Sequence, residues 1–201
     1  MSIQHLDSLF RPQSVAVIGA SNTPHSVGQV VMHNLLQGGF DGPVMPVNPR
    51  AKAVVGVLAY PNVASLPETP DLAVIATPPV TVPGIIAALG ARGTKAAVVM
   101  TAGLGGIKDE SGRTLYQAAL EEAHKHRLRI IGPNCLGIIV PGSGLNASFS
   151  HTGILPGKLA FVSQSGALCT SVLDWARTRG IGFSHFVSCL LYTSDAADDT
   201  P

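Results

Sequence analysis

Charge is scarce in this chain. Asp, Glu, Lys and Arg make up 12% of its 201 residues, the two signs balance to a formal +1, and aromatic residues account for 5%. Without a Lys/Arg cluster interleaved with aromatics, neither a nucleic-acid footprint nor a basic membrane-binding helix is indicated. No apolar run reaches the roughly 18 residues that span a bilayer, and the opening MSIQHLDSLF has neither the cationic nor the apolar region of a secretory signal, so the chain reads as soluble and cytoplasmic. Cysteine is limited to Cys135, Cys169 and Cys189, with no CxxC and no metal spacing, which favours free buried thiols in a reducing compartment. The histidines His5, His33, His124, His126, His151 and His185 fall in no chemical motif, and no partner carboxylate or metal geometry is evident beside them; His25, in the first loop, is the one worth testing. No metal site and no catalytic constellation is therefore expected, and a small molecule is the expected partner.

What is present is apolar and rich in turns, with 46% hydrophobic residues, 22 Gly and 15 Pro. Short β-branched runs at 14–19 (SVAVIG), 43–47, 71–76 (DLAVIA), 96–101 (AAVVMT) and 129–131 alternate with helical spacing at 27–37, 82–91 and 111–126. Strands this continuously apolar, separated by helices, indicate a parallel sheet covered on both faces, hence a Rossmann-like, doubly wound α/β domain over 1–141. Residues 142–157, rich in Gly, Ser, Asn and Pro without clear periodicity, read as a linker. A strand at 158–162, a turn at 163–166, a helix at 167–179 and a strand at 182–187 then read as the start of a second α/β unit, 158–188. That unit is too short to fold unaided and is expected to pack on the first domain or to fray. The final stretch, 189–201 (CLLYTSDAADDTP), changes abruptly to small and acidic residues; it resembles a translated transposase sequencing adapter and reads as a non-native tail.

Candidate binding residues cluster at the carboxyl ends of the expected strands, where ligands of open α/β sheets bind. In the first loop Gly19 permits a sharp turn, Ala20 and Ser21 follow it, and Gly28 lets the next helix approach the strand with its free N–H groups facing an anion. The loop lacks the full GxGxxG pattern. After the second strand come Asn48, Pro49 and Arg50, with Lys52 nearby, where an NAD-binding domain would place an acid; a cation there suits a phosphorylated ribose. Thr77, Pro78 and Pro79, then Thr101, Ala102 and Gly103, and then Asn134 in Gly-Pro-Asn complete the rim. On these residues alone, three classes stay open: a coenzyme A-binding domain, an NADP-dependent oxidoreductase with Arg50 on the 2′-phosphate, and a non-catalytic nucleotide-sensing module.

The ordered series VAVIGAS, PVNP, ATPP, MTAGLGG, IGPNCLGII and KLAFVSQSGAL resembles the nucleotide-diphosphate-forming acyl-CoA synthetases. These are the ADP-forming acetate-CoA ligases, the succinyl-CoA synthetase alpha subunit and the synthetase-like half of some protein lysine acetyltransferases, the last of which would sense acyl-CoA. The resemblance implies a CoA-binding domain followed by a flavodoxin-like one. It implies that Gly19 to Ser21 with Gly28 hold the coenzyme nucleotide, that Arg50 meets its phosphate, that Thr101 to Gly103 flank the pantetheine, and that Asn134 lies by the thioester. It further implies that Ser163, Gln164, Ser165 and Gly166 form the turn that receives a phosphohistidine, whose histidine is not in this chain. ATP or ADP and magnesium would then enter through an ATP-grasp domain or subunit outside the chain, the full-length protein would be a homo-oligomer, and the fragment alone would be inactive.

Overall fold

A computed structural model describes residues 4–189. The strands of the first unit are β1 (Val15–Ile18), β2 (Val44–Val47), β5 (Leu72–Ile75), β6 (Ala96–Val99) and β7 (Arg129–Ile131), with a small hairpin, β3 (Ala53–Val54) and β4 (Val57–Leu58), after β2. Its helices are α1 (Leu6–Phe10), α2 (Val27–Gln37), α3 (Val82–Arg92) and α4 (Leu115–His126). Strands β8 (Gly137–Val140), β9 (Leu145–Ser148), β10 (Pro156–Ser163) and β11 (Phe183–Ser188), with helix α5 (Gly166–Thr178), follow.

The five main strands form a parallel sheet in the order β2-β1-β5-β6-β7. Strand alternation divides its side chains between two cores. Val15, Val17, Leu72, Val74 and Val98 pack with Val31, Met32 and Leu35 of α2. Ala16, Ile18, Ala73, Ile75 and Val99 pack with Ile86 and Leu89 of α3 and Leu115 and Ala119 of α4. Burying each of these larger side chains contributes about 1.5 to 3 kcal/mol, which is why all four residues of β1, β5 and β6 can be apolar without regard to alternation. The doubly wound architecture expected from the sequence is what the chain adopts.

The second sheet has the order β10-β11-β8-β9 and is mixed: β10 and β11 are parallel, while β8 runs antiparallel to both β11 and β9. One face, with Ile138, Val140, Leu145, Ala147 and Val187, joins the α2 core of the first unit. The other, with Ile139, Phe183 and Phe186, packs on Cys169, Leu173 and Ala176 of α5. The second unit therefore packs on the first across a continuous apolar layer. Asn34 of α2 reinforces this by donating both amide hydrogens, to the carbonyls of Ser148 at 2.8 Å and Ser150 at 2.9 Å.

Several elements differ from the sequence reading. Helix α4 begins at Leu115 rather than near Ser111, because Thr114 and Gln117 form a reciprocal capping box and Asp109 accepts from the N–H groups of Ser111 and Arg113, bending the preceding segment into a turn. The segment 142–157, read as irregular, carries β9. The polar residues of that strand, Asn146 and Ser148, are buried yet satisfied, Ser148 donating to Asn146 Oδ1 at 2.6 Å, so composition concealed a strand. The hairpin β3–β4, whose strands are two residues each, and strand β8 also went unread. Cys189, assigned by sequence to the foreign tail, is buried and donates its N–H to Ser163 O, prolonging the β10–β11 ladder. The rest of that tail lies outside the described residues. None of the described helices is long and apolar enough to cross a membrane.

Candidate coenzyme site

The chain passes from β1 to β2 on one side and then returns to β5 on the other, so β1 and β5 mark the topological switch point, where ligands of such sheets bind. All the sequence-derived residues of the first unit lie on the carboxyl rim around it. Gly19 takes φ +91, and a side chain there would collide with the carbonyl of Ala76; a side chain on Gly28 would collide with that of Gly19. The β1–α2 loop is thus pressed between the start of α2 and the β5 loop, and both positions require glycine. Ser26 caps α2, its hydroxyl accepting from Gln29 N–H, and the unpaired N–H groups of the first helical turn open toward the rim.

The loops are tied to one another. Asn48 donates to Ala20 O at 2.7 Å and accepts from the N–H groups of Arg50 at 2.8 Å and Ala51 at 2.9 Å, fastening the β2 loop to the β1 loop. Thr101 donates to Thr77 O at 2.8 Å, and Asn134 N–H donates to Thr101 O at 3.1 Å, which links the β5, β6 and β7 loops in series. Pro78 and Pro79 lead a short 3-10 turn, and Gly103, at φ +84, sits beside the Pro79 ring. Ala102, Gly103 and Asn134 are exposed, with Asn134 itself in the left-handed region at φ 56. Pro49 and Arg50 are exposed as well, and among the described residues neither Arg50 nor Lys52 pairs with a carboxylate. The Ser21 hydroxyl accepts from Thr23 N–H and so shapes its own loop.

The second group lies on the same side. Ser163 ends β10 and accepts from Ser165 N–H at 3.1 Å; Gln164 is exposed; Ser165 caps α5 by accepting from Leu168 N–H, with Gly166 as the first helical residue. Gly137 pairs with Ser188 and Ser188 with Ser163, so the turn stands two strand spacings, about 10 Å, from the residue three places beyond Asn134. This closeness depends on β8 and β11 being neighbours, which the sequence did not disclose.

Other side chains are settled by their surroundings. Cys135, beside Asn134, is buried, and burial pushes its thiol up to about 12, so it supplies no nucleophile to the rim. His151 does have a carboxylate partner, contrary to the sequence reading: its Nε2 lies 2.8 Å from Asp174 Oδ1, and with the Arg177–Thr152 contact it fastens the loop before β10 to α5. His126 is half-buried, and its Nε2 stands 3.7 Å from Glu122 Oε2. A concavity of about 850 Å³ opens at the opposite end of the sheets, between Arg11, Phe40, Ser143 and His185; none of the sequence-derived site residues lines it. Among the described residues no group of His, Cys, Asp or Glu could hold a metal ion.

Comparison with known proteins gives this rim a context. The alpha subunit of acetate–CoA ligase [ADP-forming] I of Pyrococcus furiosus is 38% identical over 187 residues, covering 91% of this chain and 40% of that protein. Acetate–CoA ligase [ADP-forming] I of Archaeoglobus fulgidus is 40% identical over 185 residues, covering 91% of this chain and 26% of that protein. The chain therefore spans well under half the length of these relatives. Among solved structures, the acetyl-coenzyme A synthetase 1 of Ca. Korarchaeum cryptofilum, in complex with phosphate and ADP, superposes with a TM-score of 0.85 at 38% identity, covering 92% of this chain and 39% of that one. Residues 156–189 match the succinyl-CoA ligase like flavodoxin domain. Residues 13–141, which hold the tied loops of the switch point, match the CoA binding domain, and this chain belongs to that family.

Proposed function

We propose that the chain holds coenzyme A, or an acyl-CoA, across the switch-point rim and is the coenzyme-binding part of an ADP-forming acyl-CoA synthetase of the acetate–CoA ligase kind. The observation that carries this reading is the end of β2. An NAD site would present an acid to the ribose hydroxyls, whereas here Asn48 is committed to shaping the loop and Arg50 stands exposed with no carboxylate partner among the described residues. A guanidinium in that place favours a ribose-borne phosphate. The diphosphate then lies at the start of α2, where N–H groups and the helix dipole favour an anion. The pantetheine runs past Thr77 to Pro79 and Thr101 to Gly103 toward Asn134.

In the whole protein, phosphate displaces the thiol from the acyl-CoA to give acyl phosphate and free coenzyme A. The phosphoryl group passes to a histidine outside this chain and then to ADP on an ATP-grasp partner. The turn Ser163 to Gly166 receives the phosphohistidine, its free N–H groups and helix start matching a phosphoryl dianion. Its place two strand spacings, about 10 Å, from Gly137, the start of the strand that follows the Asn134 loop, supports this division of labour. The chain alone binds the thioester carrier without turning it over.

Calorimetric titration of the chain with coenzyme A, dephospho-coenzyme A, NADPH and NADH tests the reading. Coenzyme A is expected to bind, dephospho-coenzyme A to bind more weakly, and the nicotinamides not to bind. Tight NADPH binding without coenzyme A binding overturns it in favour of an NADP-dependent enzyme.

A further inference from the structure

The sequence drew no attention to Asn22, yet its side chain joins two pieces of backbone that are more than thirty residues apart. Its Nδ2 donates to Ala53 O at 2.9 Å, and its Oδ1 accepts from Val55 N–H at 3.0 Å. Residues i and i+2 of a strand present a carbonyl and an N–H on the same side, so one amide side chain completes the outer edge of β3 much as a neighbouring strand would. The segment is also held by Val54, fully buried in the first core, and by Ala59 N–H donating to Lys52 O at 2.9 Å, whereas the turn that follows relies on Asn22 for its side-chain bonds. Strands β3 and β4 are two residues each, and the turn between them puts Val55 at φ 51 and Gly56 at φ 80. Paired positive φ values suit an Asn-Gly turn; a β-branched residue at the first position is strained and persists only where its surroundings hold it.

The placement of this anchor matters because of what lies between it and Asn48. Asn48 fastens the start of the loop to Ala20, through the N–H groups of Arg50 and Ala51; Asn22 fastens its end at Ala53 and Val55. Arg50 and Lys52, the two exposed cations at the end of β2, are thereby bracketed by two sutures that both run to the β1–α2 loop. Fixing a loop before the ligand arrives removes an ordering cost from binding.

From this we infer that Asn22 is a positioning residue of the coenzyme site: through the β3–β4 hairpin it sets where Arg50 and Lys52 meet the ribose phosphate, and so sets discrimination between coenzyme A and its dephospho form. The inference rests on the coenzyme A reading above. One amide hydrogen and one lone pair of Asn22 serve the hairpin directly.

The test measures affinities of the 201-residue chain for coenzyme A and dephospho-coenzyme A in the wild type, in Asn22→Ala and in Asn22→Ala with Val55→Asn. In Asn22→Ala, coenzyme A is expected to bind about tenfold more weakly while dephospho-coenzyme A changes by less than about twofold, so that the preference collapses. Val55→Asn, which suits positive φ, lets the hairpin form without its anchor and restores most of the preference. A residue that merely supported the fold would weaken both ligands alike, and that result, or an unchanged ratio in Asn22→Ala, overturns the inference. So does a double variant with no recovery. If the wild type binds neither ligand, the coenzyme A reading itself falls; if the wild type prefers coenzyme A and Asn22→Ala keeps that preference, only the role of Asn22 falls.

Discussion

The chain writes the same local phrase twice, and the two copies end up in opposite surroundings. Strand β1, a loop over 19–26 and α2 are matched by strand β10, a tight turn at 164–165 and α5. In each, a serine caps the helix by accepting from an N–H three residues on, and a glycine falls in the first helical turn. But β1 lies between β2 and β5 with every residue buried, whereas β10 is the outer strand of its sheet and leaves Leu159 55% and Val162 61% exposed. Gly28 is wedged against the Gly19 carbonyl, while nothing lies within 4 Å of where a side chain on Gly166 would sit. A strand, a capped helix and a glycine thus specify a turn, and only the neighbours decide whether that turn is rigid. In the proposed reading this suits the two roles: a coenzyme needs a fixed cradle, and a phosphoryl group that comes and goes needs an open one.

The sharpest way to break this contrast is to add a side chain at each glycine. Gly28→Val forces β1 and α2 apart against backbone atoms and is expected to cost more than about 3 kcal/mol of stability in urea melts, with coenzyme A binding lost. Next, the contrast assumes that the second unit is held to the first. Asn34→Leu leaves the carbonyls of Ser148 and Ser150 without their donor and is expected to cost about 2 kcal/mol, seen as faster hydrogen exchange in β9. Arg50→Ala keeps the cradle but removes its cation. Coenzyme A affinity should fall about tenfold by calorimetry, with dephospho-coenzyme A unaffected, a ratio that a purely structural Arg50 would leave in place.

The buried thiol at the junction gives a smaller, pH-dependent effect. Burial raises the Cys135 pKa from an ordinary 9.0 to about 12, so the folded state keeps the proton that the unfolded state gives up. Its contribution is full below pH 9 and is lost as pH rises above it; raising pH from 8 to 9.5 should remove somewhat under ~1 kcal/mol from this residue, and Cys135→Ser should flatten that slope in denaturant titrations. Smallest of all, Gly166→Ala meets open space and should shift stability by less than about 0.5 kcal/mol, the counterpart that Gly28 cannot match. A comparable loss at both glycines would erase the distinction between the two turns.

Much of the first unit was legible because its signals are local. Runs such as VAVIG, LAVI and AAVV are apolar on both faces, as a covered parallel strand must be, and the turn formers between them fall where the chain must reverse. The same locality made the rim loops readable as candidates. What stayed hidden depends on partners distant in sequence. Strand β9 reads as Leu-Asn-Ala-Ser and becomes a strand because β8 lies beside it and α2 covers it. Asn22 looks like one more turn residue until the hairpin at 53–58 folds back to it, and His151 looks solitary until α5 brings Asp174 within 2.8 Å.

The amino-acid order by itself settled the parallel doubly wound layer, the glycines its first turn demands and the cation in place of an acid after β2, because each follows from side-chain hydrophobicity, backbone sterics or charge within a few residues. Tertiary structure alone decided that β8 lies in the middle of the second sheet, that one of the two serine-capped turns is walled in and the other open, and that two asparagines hold the cationic loop from either end. The asparagine bonds join segments 28, 31 and 114 residues apart, and no short-range pattern encodes which distant backbone a given amide will find.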